Sequence, residues 1–431
     1  MRLWVILAIL LTLSCGMALA EEEYSFDLSE IEEKPLDIGG YLEFRPVLFG
    51  LDRNSALHKL KLYDRGKENT REEYNLTALL DGSYKKGATE FHAIVNTDLK
   101  KSYLGWSEET TLYEGYMSLK PSSTFNFNIG KKTLKWGKGY AWNPVAFLDR
   151  PKDPEDPELA REGFVVASAD YIKSFDGPLK TFSFTPVLMP VHDHINDDFG
   201  KINSLNFAGK MYFLLYDTDI DFVFLTGQSK TNRYGMDFSR NITSNFEIHG
   251  ELSFINDHKK SFINSDGTVF NKEYDATSCL LGLRYLTKSD TTYICEYFHD
   301  ATGFAESEME DYFSFIDKGY DTYLTSGDDS LLEEASNVAG GNYNRKNLMR
   351  DYLYLRISQK EPFDILYFTP SLTGIFNIND KSFSIGPELL YTGIKNLELR
   401  LKTTFLVGDS YTEFGEKQNN ARIELRVRYY F

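Results

Sequence analysis

The last stretch of the chain, residues 421–431 ("ARIELRVRYYF"), alternates strictly between apolar and polar side chains. A two-residue period places successive side chains on opposite faces, which is the signature of a β-strand. The same period recurs along the chain, for example in residues 397–405, 246–254 and 74–84. We therefore interpret the chain as a series of amphipathic strands with one apolar and one polar face.

Counting these segments gives 18 predicted strands, with 16 as the alternative count. Each is roughly ten residues long, the length at which a tilted strand crosses a bilayer. The predicted strands are 37–49, 72–85, 87–98, 110–120, 123–134, 163–173, 178–188, 202–216, 218–228, 233–241, 244–256, 273–286, 291–300, 350–360, 365–377, 381–392, 395–407 and 418–431.

The connections between these strands are sorted by length. Those after even-numbered strands are short, and those after odd-numbered strands are mostly long, except "SKTN" and "NIND". Short periplasmic turns and long extracellular loops are typical of outer-membrane barrels, which close because unpaired backbone groups are costly in hydrocarbon. The sequence thus predicts an all-β, closed antiparallel transmembrane β-barrel with both termini periplasmic. The long loops are 50–71, 99–109, 135–162, 189–201, 257–272, 301–349 and 408–417.

The first residues predict export. Arg2, an apolar core and the small-residue site Ala18-Leu19-Ala20 form a secretory signal peptide over residues 1–20. Cys15 suggests a lipoprotein signal as the alternative. Residues 21–36 then form a short acidic periplasmic segment, and the barrel occupies residues 37–431.

Composition is compatible with a barrel and excludes several other classes. No segment after the signal approaches the run of about 18 apolar residues that a spanning helix needs. A net charge of −17 argues against nucleic acid as a partner. Cys279 and Cys295 fall on neighbouring strands, where a disulfide is conceivable and two small apolar side chains are the preferred interpretation. No CxxCH motif for c-type haem is present, and we expect no cofactor.

The export signal, the repeated strands and the ending "RVRYYF" resemble a Gram-negative outer-membrane barrel of the porin type. The resemblance covers the mature chain at the level of architecture. It implies an outer-membrane location, contact with outer-membrane lipid, and a last strand read by the barrel-assembly machinery, so that Phe431 is the assembly signal. "GKKTLKWGKGYAWNP" is also similar to uncharacterised porin-like barrels. Aromatic strand ends such as Tyr41 and Tyr429 are predicted to lie at the membrane interfaces.

In general porins the third extracellular loop folds into the barrel, and the resemblance implies the same for loop 135–162. Its prolines, among them Pro144, stiffen the backbone. Trp136, Trp142 and Phe147 provide apolar anchors against the barrel wall. The alternative is a loop that stands outward from the barrel.

Inward-facing charges predict two pore-lining walls of opposite sign. In a ring of 18 strands, strand nine lies across from strand eighteen, so the walls would create a transverse field that orients dipolar solutes. The alternative is that neighbouring charges neutralise one another. The basic wall contains Arg45, Arg400, Lys402, Arg422, Arg426 and Arg428, and the acidic wall contains Asp219, Asp221, Asp237, Glu247 and Glu251.

Three further features suggest chemistry weakly. Loop 301–349 carries ten acidic residues, which suit divalent cations but are interpreted as a solvated acidic loop. His192 and His194 lack a third metal ligand. His92 and His249 lie near carboxylates without a hydrolase motif. We therefore expect no metal site and no catalytic residue.

The predicted function is passive diffusion of small hydrophilic solutes or ions through the barrel, with the lumen narrowed by loop 135–162. The alternative is a sleeve or docking component of an export or electron-transfer conduit with a periplasmic partner. A barrel-embedded hydrolase is the third and least favoured hypothesis. The sequence leaves open the solute and whether the barrel forms a homotrimer.

Overall fold

The computed structural model describes residues 35–65, 68–341, 343 and 345–431. It contains a single sheet of 18 antiparallel strands in which each strand pairs with its neighbours in sequence. The first strand also pairs with the last, from Tyr41 opposite Tyr430 to Leu51 opposite Asn419, so the sheet closes on itself. The predicted closed antiparallel barrel, with 18 rather than 16 strands, is confirmed.

The strand bounds lie within a few residues of the predicted ones for most of the barrel. The strands are β1 (Leu36–Leu51), β2 (Thr70–Lys86), β3 (Thr89–Ser102), β4 (Gly105–Leu119), β5 (Phe125–Lys132), β6 (Phe164–Ser174), β7 (Leu179–Val191), β8 (Ser204–Leu215), β9 (Thr218–Gly227), β10 (Arg233–Thr243), β11 (Phe246–Ile263), β12 (Val269–Leu286), β13 (Thr291–His299), β14 (Asp351–Gln359), β15 (Phe368–Asn377), β16 (Phe383–Ile394), β17 (Leu397–Val407) and β18 (Asn419–Tyr430).

Two predicted long loops are wrong, because the strands continue through them. Only residues 264–268 separate β11 from β12, and only residues 103–104 separate β3 from β4. In these extensions both faces are polar or mixed, as in "NDHKKS" (256–261), so the two-residue period is lost although the backbone ladder continues. Backbone pairing does not require an apolar face, which is why periodicity missed it.

The predicted signal peptide 1–20 lies outside the described residues. So does the predicted acidic segment 21–36, except Pro35 and Leu36, and Leu36 already begins β1. Among the described residues, no helix combines the length and apolar character needed to cross a bilayer.

Alternate side chains differ sharply in their exposure, as a barrel wall requires. On β17 and β18, Leu401 and Leu425 point outward and are 41% and 42% exposed. Their neighbours Lys402 and Arg426 point inward and are buried. The apolar outer side chains form the lipid-facing band expected for such a barrel.

Helices occur only in the long connections of the described chain. They are α1 (Ala56–Leu62), α2 (Glu306–Ser326) and α3 (Ser330–Ala339). A short 3₁₀ turn at Pro362–Asp364 lies in the shorter β14–β15 connection. One side of α2 is fully buried, including Tyr312, Phe313 and Ile316. Loop 301–349 therefore contains two packed helices, which the sequence analysis did not predict. Its acids occupy the exposed side of amphipathic helices, whose apolar residues recur at helical spacing.

The chain end is built into the closure of the barrel. The Phe431 N–H donates a hydrogen bond of 3.1 Å to the Gly40 carbonyl. A Cβ at Gly40 would lie 2.1 Å from the Leu79 carbonyl oxygen, so only glycine fits this crossing. Tyr429 faces outward as predicted and is 43% exposed. Tyr41 does not, because its ring stacks 4.2 Å from the Arg428 guanidinium on the lumen side.

Candidate functional site: the lumen and its inserted loop

Loop 135–162 packs against the inner wall of the barrel through an apolar anchor on β6–β9. Trp136, Phe147 and Leu148 from the loop are buried there. The inward side chains of these strands are apolar at this level, so the wall accepts the loop as a protein core would. The wall side of this anchor consists of Phe164, Val166, Val187, Met189, Val191, Ala208, Val223 and Leu225.

A second apolar contact lies further round the wall. The Trp142 ring stacks on Phe298 of β13 with centroids 5.2 Å apart, and it lies within 6.0 Å of Tyr352 and Tyr354 of β14. Its indole N–H donates to the Asn347 side chain at 3.1 Å. Aromatic pairs at these distances add stability beyond the area they bury.

Two buried carboxylates bind the loop backbone between these apolar contacts. Glu251 of β11 accepts hydrogen bonds from the backbone N–H groups of Lys138 and Gly139, both at 2.6 Å, and from the Asn143 side chain at 2.9 Å. A Cβ at Gly139 would lie 2.1 Å from the Trp142 carbonyl oxygen, so glycine permits this turn. Converging N–H donors replace the water that a buried carboxylate loses.

Glu296 of β13 plays the same part for the next two residues. It accepts the N–H groups of Tyr140 and Ala141, the latter at 2.8 Å. The His249 ring nitrogen Nε2 lies 2.8 Å from the same carboxylate. Glu296 was not among the predicted residues, because nothing in the sequence around this glutamate indicates that it binds the loop backbone.

Lys138 of the loop contacts the predicted acidic wall through its ammonium group. Its ammonium lies 2.9 Å from Asp221 and 4.0 Å from Asp237. Burial lowers the pKa of Lys138, but Asp221 and Asp237 outweigh burial, so the pKa is raised and the ammonium stays charged.

Near the C-terminal end of the loop, Glu155 and Asp156 contact the predicted basic wall. The Arg426 guanidinium donates to Asp156 at 2.9 Å, and Arg422 donates to Glu155 at 2.5 Å. The Lys402 ammonium donates to the Glu155 carbonyl at 2.5 Å. Burial raises the pKa of Asp156, but Arg426 and its cationic neighbours outweigh burial, so the pKa lies below its ordinary value.

The remaining basic residues pair with carboxylates of the wall itself. Glu43 and Glu388 are among these partners and were not predicted. The net charge of the wall is therefore smaller than its arginines alone would give. The pairs are Arg428 with Glu43 (2.6 Å), Arg45 with Glu424 (3.6 Å), Arg400 with Glu398 (3.1 Å) and Arg400 with Glu388 (3.6 Å).

The inward face of β1–β3 is polar and is not bound by the loop. Thr77 and Asn96 donate to Asp98, both at 2.5 Å. Within the described ranges, no hydrogen bond or ion pair joins loop 135–162 to an inward side chain of β1, β2 or β3. On this side of the lumen Arg45 and Asp98 are partly exposed, whereas Thr77 and Asn96 are buried.

The other predicted acids make contacts within the wall. Asp219 accepts the Tyr212 hydroxyl, and Glu247 accepts the Ser239 hydroxyl at 3.0 Å. Pro144 lines a cavity next to the loop.

The weaker candidates are separated in space. The His192 ring contacts Asn203 at 3.4 Å, whereas His194 lies with Asp193 and Asp197 in an exposed group. Cys279 and Cys295 are both free thiols.

No protein-family model and no curated protein sequence matches this chain. Among solved structures it is similar to Pseudomonas aeruginosa OccK5 (OpdH), with a TM-score of 0.51 and 14% identity over 92% of this chain and 98% of that one. It is equally similar to P. aeruginosa OccK2 (OpdF), crystallised in complex with glucuronate, with a TM-score of 0.51 and 11% identity over 92% and 98% of the two chains.

The chain has the fold of a porin-type outer-membrane β-barrel. A triple mutant of Rhodopseudomonas blastica porin matches more distantly, with a TM-score of 0.44 and 9% identity over 92% of this chain and all (100%) of that one. At identities this low, the structural similarity to OccK5 and OccK2 establishes only the fold. The solute has to be argued from the residues of the lumen.

Proposed function

We propose that this porin-type barrel is a channel for passive diffusion of small hydrophilic solutes or ions, narrowed by loop 135–162. One observation carries the proposal: the loop contacts inward residues from β6 to β18, but among the described residues it makes no hydrogen bond or ion pair with the mostly polar inward face of β1–β3. Because loop 135–162 is bound on several sides, it narrows the lumen as a fixed element and does not move in and out of it.

The proposed passage runs between the loop and the inward face of β1–β3. Arg45 and Asp98 lie along this face, and Arg428 of the adjacent β18 pairs with Glu43 of β1, so the face has mixed charge, which favours hydrated solutes over apolar ones. The glucuronate in OccK2, a polar sugar acid, is a solute of the kind we propose. The other predicted pore-lining residues contact the loop or neighbouring residues of the wall, so they shape the passage indirectly.

We further propose an outer-membrane location with both termini periplasmic. The connections after even-numbered strands have eight residues or fewer, as periplasmic turns do, whereas the four longest connections all follow odd-numbered strands. Lipid surrounds the apolar outer band, and the barrel-assembly machinery recognises the strand that ends at Phe431. A homotrimer is compatible with this arrangement.

A docking component for a periplasmic partner is the second candidate. The observation in its favour is the β14–β15 turn, where Phe363 is 95% and Leu366 63% exposed. A sleeve that encloses its partner is disfavoured, since loop 135–162 occupies space that the partner would need.

An embedded hydrolase has less support. His249 faces Glu296, whose oxygens already accept the loop N–H groups of Tyr140 and Ala141. His92 lies 3.4 Å from Glu114 and 3.7 Å from Asp81 on the wall. Neither histidine has a hydroxyl or thiol nucleophile as a hydrogen-bond partner in the described part of the chain.

The deciding experiment is conductance and ion selectivity of the reconstituted full chain in planar bilayers, with and without loop residues 138–158. We expect the intact barrel to conduct alone, and we expect the shortened loop to raise the conductance. A barrel that stays closed in both forms contradicts the channel and supports the docking component.

A further inference from the structure

A cavity of about 420 Å³ lies between loop 135–162 and the wall formed by β10–β13, on the side of the long loops. Seven of the residues that line it are basic and two are acidic. This imbalance is unusual for the molecule, because the chain as a whole carries a net charge of −17. The cavity is therefore a local concentration of positive charge within an acidic protein.

Two of these basic residues lack a counter-charge. The side chains of Lys230 and Arg233 form no hydrogen bond and no ion pair in the described part of the chain, and the Arg233 Nε is buried without a partner. The Lys230 ammonium instead lies 3.7 Å from the centroid of the Phe199 ring. Both side chains are only partly exposed, and holding unpaired cations side by side with little solvent around them is costly unless a counter-ion joins them.

Other donors point to the same space from different elements. Arg150 of the loop pairs with Glu162 and Asp198 through its terminal nitrogens, but its Nε is buried without a partner, and so is the Ser253 hydroxyl of β11. Arg345 lies across the cavity and is held by the Thr302 hydroxyl at 2.8 Å and by Asp300 at 3.5 Å. Donors from a loop, two strands and a helical connection thus surround one volume.

We propose that this cavity binds a small dianion with a tetrahedral oxyanion group, namely phosphate, sulfate or a phosphomonoester. Two unpaired cations call for a charge of about −2, which a phosphate group supplies near neutral pH. A planar carboxylate is satisfied by the fork of a single arginine, whereas donors converging from several directions suit a tetrahedral group. The role of this cavity as a capture site ahead of the constriction rests on the proposed channel function. The binding of the anion does not depend on that function.

Binding is tested by calorimetry on the full chain in detergent micelles at constant ionic strength. Sulfate, inorganic phosphate and glycerol 3-phosphate are the probes, and acetate and chloride are the comparison anions. We expect saturable binding of the first three only. Tighter binding of glycerol 3-phosphate than of phosphate identifies a phosphorylated solute, and the reverse identifies the inorganic ion. Equal binding of acetate, or no saturable binding at all, overturns the proposal.

Three variants locate the site. Lys230→Gln and Arg233→Gln should each weaken sulfate binding roughly tenfold or more, as expected for the loss of a hydrogen bond to a charged group. Lys201→Gln, an exposed lysine in the neighbouring loop 192–203, should leave binding unchanged. Retarded migration of boiled against unboiled samples confirms that each barrel is folded. Unchanged sulfate affinity in both folded cavity variants would rule the site out.

The pH dependence gives an independent measure. Burial and the nearby Arg233 lower the pKa of Lys230 to about 7, while Asp198 raises it and Arg150 lowers it. Sulfate does not titrate in this range, so its affinity should fall between about pH 6 and about pH 9 as the ammonium loses its proton. Lys230→Arg should retain the affinity at high pH, and a wild-type affinity that does not change with pH contradicts the role of Lys230. Conductance of the same samples tests the channel separately.

Discussion

At the scale of single residues, loop 135–162 depends on buried carboxylates that accept backbone N–H groups. Glu251 and Glu296 lie on β11 and β13 and bind consecutive residues of the loop. Such a carboxylate fixes backbone, which has fewer ways to rearrange than a side-chain partner. The anchors therefore determine where the loop runs, and the tryptophans add affinity at either end.

Glu251→Gln tests this anchor with little change in shape. An amide oxygen accepts more weakly and the amide NH₂ cannot accept, so we expect a loss of about 2–3 kcal/mol of loop binding. The single-channel conductance should rise and become noisier. Glu247→Gln is the matched control, since Glu247 lies on the same face of β11 but contacts Ser239. Equal conductance in both variants would show that Glu251 does not hold the loop.

Acid should release the other end of the loop. The pKa of Asp156 is lowered in the folded barrel, so its stabilising contact with Arg426 is complete above the ordinary pKa of about 4 and is lost as the pH falls through the lower folded value. We expect constant conductance from neutral pH to about pH 4, and a change only below it. Asp156→Asn should show the acid behaviour at neutral pH, unlike Asp193→Asn on an exposed loop.

Periodicity predicted which way these side chains point but not what they meet. Arg422, Arg426 and Glu251 were placed inward correctly, because a strand alternates. Glu43, Glu296 and Glu388 were missed, since their partners come from other strands or from the loop. Partners across a lumen depend on strand register and loop path, which a local pattern does not contain.

At the scale of elements, the last strand closes the barrel and carries the predicted assembly signal. Phe431→Ala should reduce the folded fraction in outer membranes, because the machinery is expected to read this residue. Refolding of the purified variant into detergent should be nearly normal, since the Phe431 side chain is 37% exposed and alanine keeps the backbone N–H that bonds to Gly40. Folded protein is measured by the heat-dependent shift in gel mobility.

Phe405→Ala is the control for the assembly signal. Phe405 is an outward aromatic on β17 with 47% exposure but is not terminal. We expect it to assemble normally in cells. If both variants lose the same folded fraction, or if Phe431→Ala also fails to refold in detergent, then Phe431 serves stability and not recognition.

Elements with a strict period were predictable, and those with mixed faces were not. Strands β14–β18 were located to within a few residues, because lipid and water impose opposite polarity on their two faces. The extensions of β3–β4 and β11–β12 lie where both faces carry polar residues, so the period disappears. Helix α2 was hidden by the number of its acids, although its apolar residues have helical spacing.

At the scale of the whole molecule, the proposed passage along β1–β3 can be located with introduced cysteines. Asp98→Cys faces the lumen, and a positively charged thiol reagent should reduce its conductance within minutes. Thr97→Cys faces outward beside Thr110 and should be insensitive. The unmodified barrel, whose Cys279 and Cys295 are free, gives the background. Block of Thr97→Cys alone would reverse the assignment of the faces.

Loop 135–162 joins strands that are synthesised early to the strand that is synthesised last. It ties the apolar wall of β6–β9, the glutamates of β11 and β13 and the arginines of β18 to one another across the interior. Mechanically it is a cross-brace. A hollow cylinder flattens into an ellipse under lateral pressure, and a strut bound at three points of its circumference resists that flattening, so the aperture stays round when the surrounding membrane is compressed or stretched.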